Sequence, residues 1–553
     1  MSKKYVIIGG VAGGMSAATR LRRRDEHASI TVLERGGHVS FANCGLPYQL
    51  GGVIEDRESL LLQTPESLGA RFGIDVRVRA EAIAIDPDQR TVTARHVETG
   101  ATTMLHYEAL VLSPGAEAVI PDVSGAERAL PLRSIEDLDA MQDTVAALTP
   151  GASAVVMGGG FIGVEVAENL SHRGLNVRVV ERNPQLLKVL DPEMAIHVER
   201  RLRDNGIGVE LRTSVTAIGE ADVTLDDGRT LPADLVVAAS GVRPASAIAA
   251  TAGVTLDDNG AIIVDERLRT SVPGIFAVGD AATNRDFVDG SDAVVPLAQT
   301  ANRHGRLVAD VIAGDDATAR PVYATAIIGA FGLQAAATGW SAAKLRRAGR
   351  VFRVIRVHPA DHAGYYPGAT QLSLKILVDP VTDLILGAQA VGESGADKRI
   401  DVLATAMQCG LTASSLMDLE LAYAPQFGSA KDPVNLLGYV ADNVRTGQST
   451  MVDWDGLDDL PDAAIVDVRD PSEYRAGAIP GSVNIPLNDL RRRAGEIPEG
   501  TVVVTCQVGL RGHVAERILR QLGHPDVRNL SGGYRTWVDG MESLPRQVAP
   551  TPA

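Results

Sequence analysis

The chain has 553 residues, more than one hydrophobic core usually organises, so several domains are expected. Hydrophobic residues at 45% and charged residues at 22% describe a globular protein, and the net charge of −16 argues against a nucleic-acid partner, which would need Lys and Arg to displace phosphate counterions. No membrane-length apolar run and no signal-peptide core occur, and three scattered cysteines exclude a disulfide framework; a cytoplasmic protein with free thiols, no membrane partner and no metal site is expected.

In chain order, Tyr5 to Ile8 is a short apolar run entering the glycine cluster GGVAGG, with the polar side of a helix following at Thr19 to Arg24. A second strand, Ile30 to Leu33, ends at Glu34. The same grammar returns at Ala154 to Met157, then GGGFIG, a helix through Leu170, and a strand Val177 to Val180 ending at Glu181. Phosphate binding needs backbone N–H groups and a helix N-terminus at close range, and glycine permits that approach. Gly158, Gly160 and Gly163 complete G-x-G-x-x-G, and Glu181 stands where it can accept hydrogen bonds from a ribose diol, which favours NADH over NADPH. In the first loop Gly9 and Gly14 match, with Val11 in the middle position. PGIFAVGD, at Pro273 to Asp280, reads as a turn and a buried strand ending on a carboxylate. Mixed strands and helices then run to about Asn443, a polar stretch follows, and a separate small α/β domain closes the chain.

Two dinucleotide units with PGIFAVGD resemble the two-dinucleotide flavoprotein disulfide reductases, in which the first unit holds FAD and the second the nicotinamide. SFANCGLPY places Cys44 after the first unit, and the position where a C-x-x-x-x-C pair would put its second sulfur is Gln49. A lone thiol must cycle through an external partner: a mixed disulfide, a persulfide or a sulfenic acid. SFANCGLPY, GGVAGG, HAGYYPG (His362 to Gly368) and AYAPQFGSAKDPVN (Ala422 to Asn435) together resemble the coenzyme A disulfide reductase family over about residues 1 to 443. The resemblance implies an α/β chain with an FAD-binding domain (1–150 and 243–322), an NAD(P)-binding domain (151–242) and an α+β dimerisation domain (323–443), acting as a homodimer on small-molecule sulfur substrates.

It also implies site residues. Cofactor contacts would fall on Gly9, Gly14, Glu34, Arg35, Asn43, Pro114, Gly115, Gly279, Asp280, Pro296, Leu297 and Ala298, and on Gly158, Gly160, Ile162, Gly163, Glu181 and Gly241. Coenzyme A contacts would fall on Ser16, Arg20, Arg23, Ser40, Asn43, Asn302 and Lys431, with Asn302 at a position that is His in some members. The run Arg20, Arg22, Arg23, Arg24 offers guanidinium groups to the phosphates of coenzyme A. Tyr365 and Tyr423 match tyrosines that approach the redox sulfur across the dimer interface. Cys409, in VLATAMQCGL, is expected in the core.

After a linker at 444–455, CQVGLR (Cys506 to Arg511) follows the strand TVVVT and enters a helix. Such a loop can turn its N–H groups onto the sulfur, with the helix dipole and Arg511 stabilising a persulfide anion. It resembles the rhodanese active loop C-x-x-G-x-R. IVDVRDPSEY, GAIPGSVNIP and LSGGYRTW extend the resemblance over 456–545, with Ala478 where many members have His. The fusion of the two domains points to an NADH-dependent coenzyme A persulfide or polysulfide reductase that releases sulfide. Coenzyme A disulfide reduction is the alternative, followed by NADH oxidase or peroxidase chemistry or a redox-sensing role.

Overall fold

The computed structural model describes residues 2–544. They form two compact units, one holding the chain up to Arg182 and from Gly206 to Ala324, the other Asn183–Asn205 and the chain from Thr325 onward.

The first unit is built on two parallel five-stranded sheets. One runs in the order Ile275–Ala277, Ala109–Leu112, Lys4–Ile8, Ser29–Leu33, Asp75–Arg77, and the other Gly208–Leu211, Asn176–Glu181, Ser153–Met157, Leu235–Ala238, Ala129–Leu130. Their central strands are continuous apolar runs such as YVII and AVVM because helices cover both faces of a parallel sheet. The strands expected from sequence at 5–8, 30–33, 154–157 and 177–180 are all present, each extended by one or two residues at an edge. Helix Ala12–Arg24 lies against helix Ala298–Ile312 at a close crossing. A Cβ on Gly305 would stand 2.2 Å from the Gly13 carbonyl oxygen, so only glycine permits that contact.

The second unit contains an antiparallel sheet, in the order Ala326–Ala330, Leu333–Gly339, Ile385–Gly392, Ser373–Val378, Arg353–Val357, and a parallel sheet, in the order Met451–Val452, Asp526–Leu530, Thr501–Thr505, Ala464–Asp467, Val483–Asn484. Met451–Val452 comes from the stretch read as linker; it adds an edge strand to the C-terminal sheet, and Glu516 accepts the Thr450 N–H and the Ser449 hydroxyl. A charge network on the antiparallel sheet reaches the start of helix Pro192–Asp204 and, through Arg356, the C-terminal domain. Lys375 bonds Asp191 and Glu193 at 2.6 Å each, Arg356 bonds Glu193 at 2.7 Å, and Arg356 also pairs with Asp453. His358 bridges the Ser373 hydroxyl at 2.9 Å and the Thr536 hydroxyl at 2.7 Å. Burial holds His358 down at about 3, so its ring is neutral there.

One expectation fails in this unit. Cys409 is exposed. Helix Ala396–Gln408 buries Leu403, Ala404, Ala406 and Met407, and the cysteine falls one step beyond the last turn, on the side facing water.

Candidate active sites

The glycine loops separate into positions the protein's own backbone requires and one it does not. Gly9 (φ 102°) and Gly158 (φ 114°) are left-handed, and a Cβ on Gly14 or Gly163 would stand 1.9 Å from the carbonyl oxygen of Gly9 or Gly158 respectively. Those glycines let each helix close onto its strand. Gly160 is extended at φ −81°, and a Cβ there would meet nothing within 4 Å. The space ahead of helix Phe161–His172, whose first turn includes Ile162, is therefore open to a pyrophosphate, as a nucleotide site requires. Glu34 accepts the Gly10 and Gly36 N–H groups at 2.8 Å, and Glu181 accepts the Gly159 N–H at 2.7 Å, so each carboxylate also braces its own loop.

The other expected cofactor positions lie at strand ends and a helix start. Gly115, Gly241 and Gly279 are left-handed (φ 73°, 118° and 81°), the first following Pro114 after strand Ala109–Leu112. Pro296 and Leu297 lead into the helix that begins at Ala298, with Leu297 at its N-cap. Asp280 sits in the short turn Gly279–Ala281 and pairs with Arg133 at 3.4 Å. Arg35 is mostly exposed and reaches Glu117 at 3.7 Å. Open loops, two helix N-termini and a carboxylate beside a guanidinium fit a flavin and a nicotinamide dinucleotide.

Cys44 lies in the turn Asn43–Gly45, which passes directly into helix Leu46–Leu50. Its thiol is exposed on one side and reaches the Asn43 amide oxygen at 3.7 Å. Partial desolvation, then Glu165 and Asp280, push this thiol up, and Arg133 opposes them. Glu165 is itself pushed up by burial and accepts the Tyr48 hydroxyl at 3.1 Å. Gln49, at the position of a second sulfur, is buried and accepts a hydrogen bond from Gln142.

Ser16 donates to the Asn302 oxygen at 2.6 Å across the paired helices. Of the basic run, Arg20 pairs with Asp310 at 2.8 Å and Arg24 with Asp315 at 2.6 Å. Arg22 is buried and donates to the carbonyls of Phe72, Gly73, Asp25 and Glu26, which corrects its reading as a phosphate ligand: its role is to clamp the end of its helix. Arg23 is exposed. Ser40 is left-handed at φ 47°, held there by its N–H to the Gly10 carbonyl at 2.8 Å.

In the second unit Tyr365 and Tyr423 are exposed, and their hydroxyls bond each other at 2.9 Å, which pushes the Tyr423 phenol up. Their two loops share a buried anchor. Arg399 pairs with Asp432 at 2.9 Å and donates to the Asp361 carbonyl at 2.8 Å, while Ala363 N–H bonds the Gly428 carbonyl at 3.0 Å. Lys431 stands 6.0 Å from the Tyr439 ring centroid.

Cys506 is 1% exposed, and its sulfur accepts the Gly509 N–H at 3.1 Å. Gly509 is left-handed at φ 98° and caps helix Leu510–Gln521, so the loop curls as its sequence predicts. Both terminal nitrogens of Arg511 bond Glu473 at 2.7 Å, that pair holds the Glu473 carboxyl at about 2, and Cys506 is among the groups whose charge acts on the guanidinium. Tyr534 N–H bonds the Cys506 carbonyl at 2.7 Å, Arg535 N–H the Gln507 carbonyl at 3.1 Å, and buried Arg469 reaches the Gln507 side chain at 3.1 Å.

Sequence reading missed Glu165, Tyr48 and Arg133 beside Cys44, and, around Cys506, Arg469, Glu473 and Asn529, whose amide donates to the Gly509 carbonyl at 3.1 Å. Arg469 and Glu473 lie inside VDVRDPSEY, which could have flagged them. Arg133 stands in no motif.

Known families match the chain along most of its length. The pyridine nucleotide-disulphide oxidoreductase model matches residues 3–305, that family's dimerisation domain matches 325–433, and the rhodanese-like domain matches 454–539. Coenzyme A disulfide reductase of Staphylococcus aureus (strain JH9) is 36% identical over 441 residues, covering 79% of this chain and 99% of that protein. The reduced CoADR-RHD of Bacillus anthracis superposes with a TM-score of 0.96 at 41% identity, over 98% of this chain and 99% of that one. An NAD-dependent persulfide reductase from A. fulgidus superposes with a TM-score of 0.90 at 36% identity, over 97% and 100%. This chain belongs to the pyridine nucleotide-disulphide oxidoreductase family, alongside the coenzyme A disulfide reductases, and carries a rhodanese-like domain at its C-terminus.

Proposed function

We propose that this protein is an FAD-dependent NADH:persulfide reductase acting on coenzyme A persulfide or polysulfide, with Cys506 carrying sulfane sulfur for Cys44. The observation that carries the reading is Gln49, buried and hydrogen-bonded where a second sulfur would stand, so that Cys44 must take its sulfur partner from the substrate. FAD, when held by the Gly9–Gly14 loop, Glu34 and Asp280, would supply the two electrons drawn from NADH. The Cys44 thiolate attacks the carrier-side sulfur of the persulfide, forming a mixed disulfide and releasing hydrosulfide. Two electrons and a proton then return the Cys44 thiolate and free coenzyme A.

Glu165, kept protonated more readily by its burial, serves as proton store beside Cys44, and Arg133 offsets the Asp280 charge. Arg20, Arg23, Ser16, Ser40, Asn43, Asn302 and Lys431 are assigned to coenzyme A, and Tyr365 and Tyr423 to proton delivery at the substrate sulfur in a homodimer. The dimerisation domain supports that assembly. Cytoplasmic placement rests on the three unpaired cysteines. Reduction of coenzyme A disulfide is the second reading, favoured by the Staphylococcus aureus relative.

NADH turnover with coenzyme A persulfide, with coenzyme A plus an external sulfane-sulfur donor, with coenzyme A disulfide and with oxygen, each with wild type and Cys506→Ser, separates these readings. The expected order places persulfide first, with Cys506→Ser reducing only turnover fed by an external sulfane donor. Faster turnover of the disulfide, with Cys506→Ser equal to wild type throughout, would favour the second reading.

A further inference from the structure

We propose, on the reading of Cys506 as a sulfane-sulfur carrier, that His358 is a positioning residue for that sulfur: through the Thr536 hydroxyl it holds the helix start on which the Cys506 loop rests.

The loop leans on helix Gly533–Ser543. Tyr534 N–H donates to the Cys506 carbonyl at 2.7 Å, and Arg535 N–H to the Gln507 carbonyl at 3.1 Å. A Cβ on Gly533 would stand 2.4 Å from that Cys506 oxygen, so the approach leaves no room for any other residue. Because peptide units are planar, fixing the two carbonyls fixes the path of the chain toward Gly509, whose N–H reaches the sulfur at 3.1 Å. A displaced helix start therefore moves the donor that faces the sulfur.

Residues of the antiparallel sheet and its loops hold that helix start by two routes. The His358 ring, buried with Ser373 and Thr536, bonds the Ser373 hydroxyl at 2.9 Å on one nitrogen and the Thr536 hydroxyl at 2.7 Å on the other. The backbone carbonyl of the same histidine accepts the Gln371 amide at 2.8 Å, and the Gln371 oxygen accepts the Arg535 guanidinium. Both routes leave His358 and end on consecutive residues of the helix, Arg535 and Thr536.

The ring does this as a neutral group. Burial above all, then Arg535, keeps the proton off it; His197 and Arg356 act in the same direction, and Asp539 opposes them. A neutral imidazole has one donor and one acceptor nitrogen, so it accepts from one hydroxyl and donates to the other. Two directed hydrogen bonds, rather than an ion pair, set the place of Thr536.

The test uses the flavin-loaded full chain carrying Cys44→Ser and Cys409→Ser, in which Cys506 is the one remaining thiol. The Cys506 thiolate attacks the outer sulfur of glutathione persulfide, the S–S bond breaks, glutathione thiolate leaves, and Cys506 becomes a persulfide with no net oxidation. Intact mass follows the gain of one sulfur atom over time. Thr536→Val and His358→Phe are each expected to lower the saturating loading rate on the order of 10-fold, as loss of one buried hydrogen bond implies, with the half-saturating donor concentration unchanged. The double variant is expected to be no slower than either single one, because both remove the same bond. Thr536→Ser keeps the hydroxyl and is expected to stay within about 2-fold of the parent. Loading of Thr536→Val at the parent rate, or Thr536→Ser as slow as Thr536→Val, would overturn the proposal. A parent protein that loads from neither glutathione persulfide nor thiosulfate would instead defeat the reading of Cys506 as a carrier.

Discussion

At the scale of single residues, two side-chain environments make opposite demands on sulfur. Cys44 is raised by desolvation and by the carboxylates of Glu165 and Asp280, so its thiolate is scarce until a substrate or a cation shifts the balance. Glu165→Gln removes one of those charges, and the pH midpoint for alkylation of Cys44 by iodoacetamide is expected to fall. A midpoint unchanged or raised would remove Glu165 from the account. Around Cys506 the critical pair is Arg511 with Glu473. The carboxyl is depressed from its ordinary 4.5 to about 2, so the pair stabilises the folded domain fully above pH 4.5, and that contribution is lost as pH falls from 4.5 toward 2. Arg511→Met is expected to abolish this part of the pH dependence of Tm and to lower sulfur loading of Cys506 on the order of 10-fold, since a charge-assisted pair bracing the loop is gone. A pH–Tm curve unchanged from wild type would contradict the assignment.

At the scale of elements, glycines with one sequence signature do two jobs. Gly163→Ala forces a Cβ to within 1.9 Å of the Gly158 carbonyl oxygen and is expected to cost about 1–3 kcal/mol, read as a lowered Tm. Gly160→Ala meets no protein atom, so Tm stays at the wild-type value while NADH affinity drops. Equal effects of the two substitutions on Tm would refute this division. The elements themselves were legible because strand, glycine loop and helix follow one another in an uninterrupted local pattern, as in YVIIGGVAGG and VVMGGGFIG. Cys44, Gln49 and Cys506 were legible for the same reason, each sitting inside a contiguous motif. Glu165, Arg133 and Arg399 were not, because folding brings them to their sites from stretches outside the quoted motifs. Arg22 and Arg23 are adjacent in sequence and both basic; the helix turns one inward to cap carbonyls and the other to solvent, a distinction set by tertiary burial.

At the scale of the whole molecule, Arg356 of the antiparallel sheet links Asp453 of the C-terminal domain to Glu193, which shares the buried cation Lys375 with Asp191. Lys375→Met leaves Asp191 and Glu193 without their shared cation at 2–4% exposure or less, and is expected to destabilise the second unit by roughly 3–5 kcal/mol. Differential scanning calorimetry should show that transition alone moving down; an unmoved transition would mean the network contributes nothing. This link gives the Cys506 loop a fixed setting within its unit, as the proposed sulfur transfer requires. The account depends above all on Cys44 forming a mixed disulfide with the carrier thiol. Peptide mass spectrometry of the oxidised holoenzyme, incubated with coenzyme A persulfide without NADH, tests that directly. Cys44 is predicted to gain coenzyme A in disulfide linkage as sulfide is released, and NADH is predicted to remove it; sulfide release with Cys44 unmodified would contradict the account.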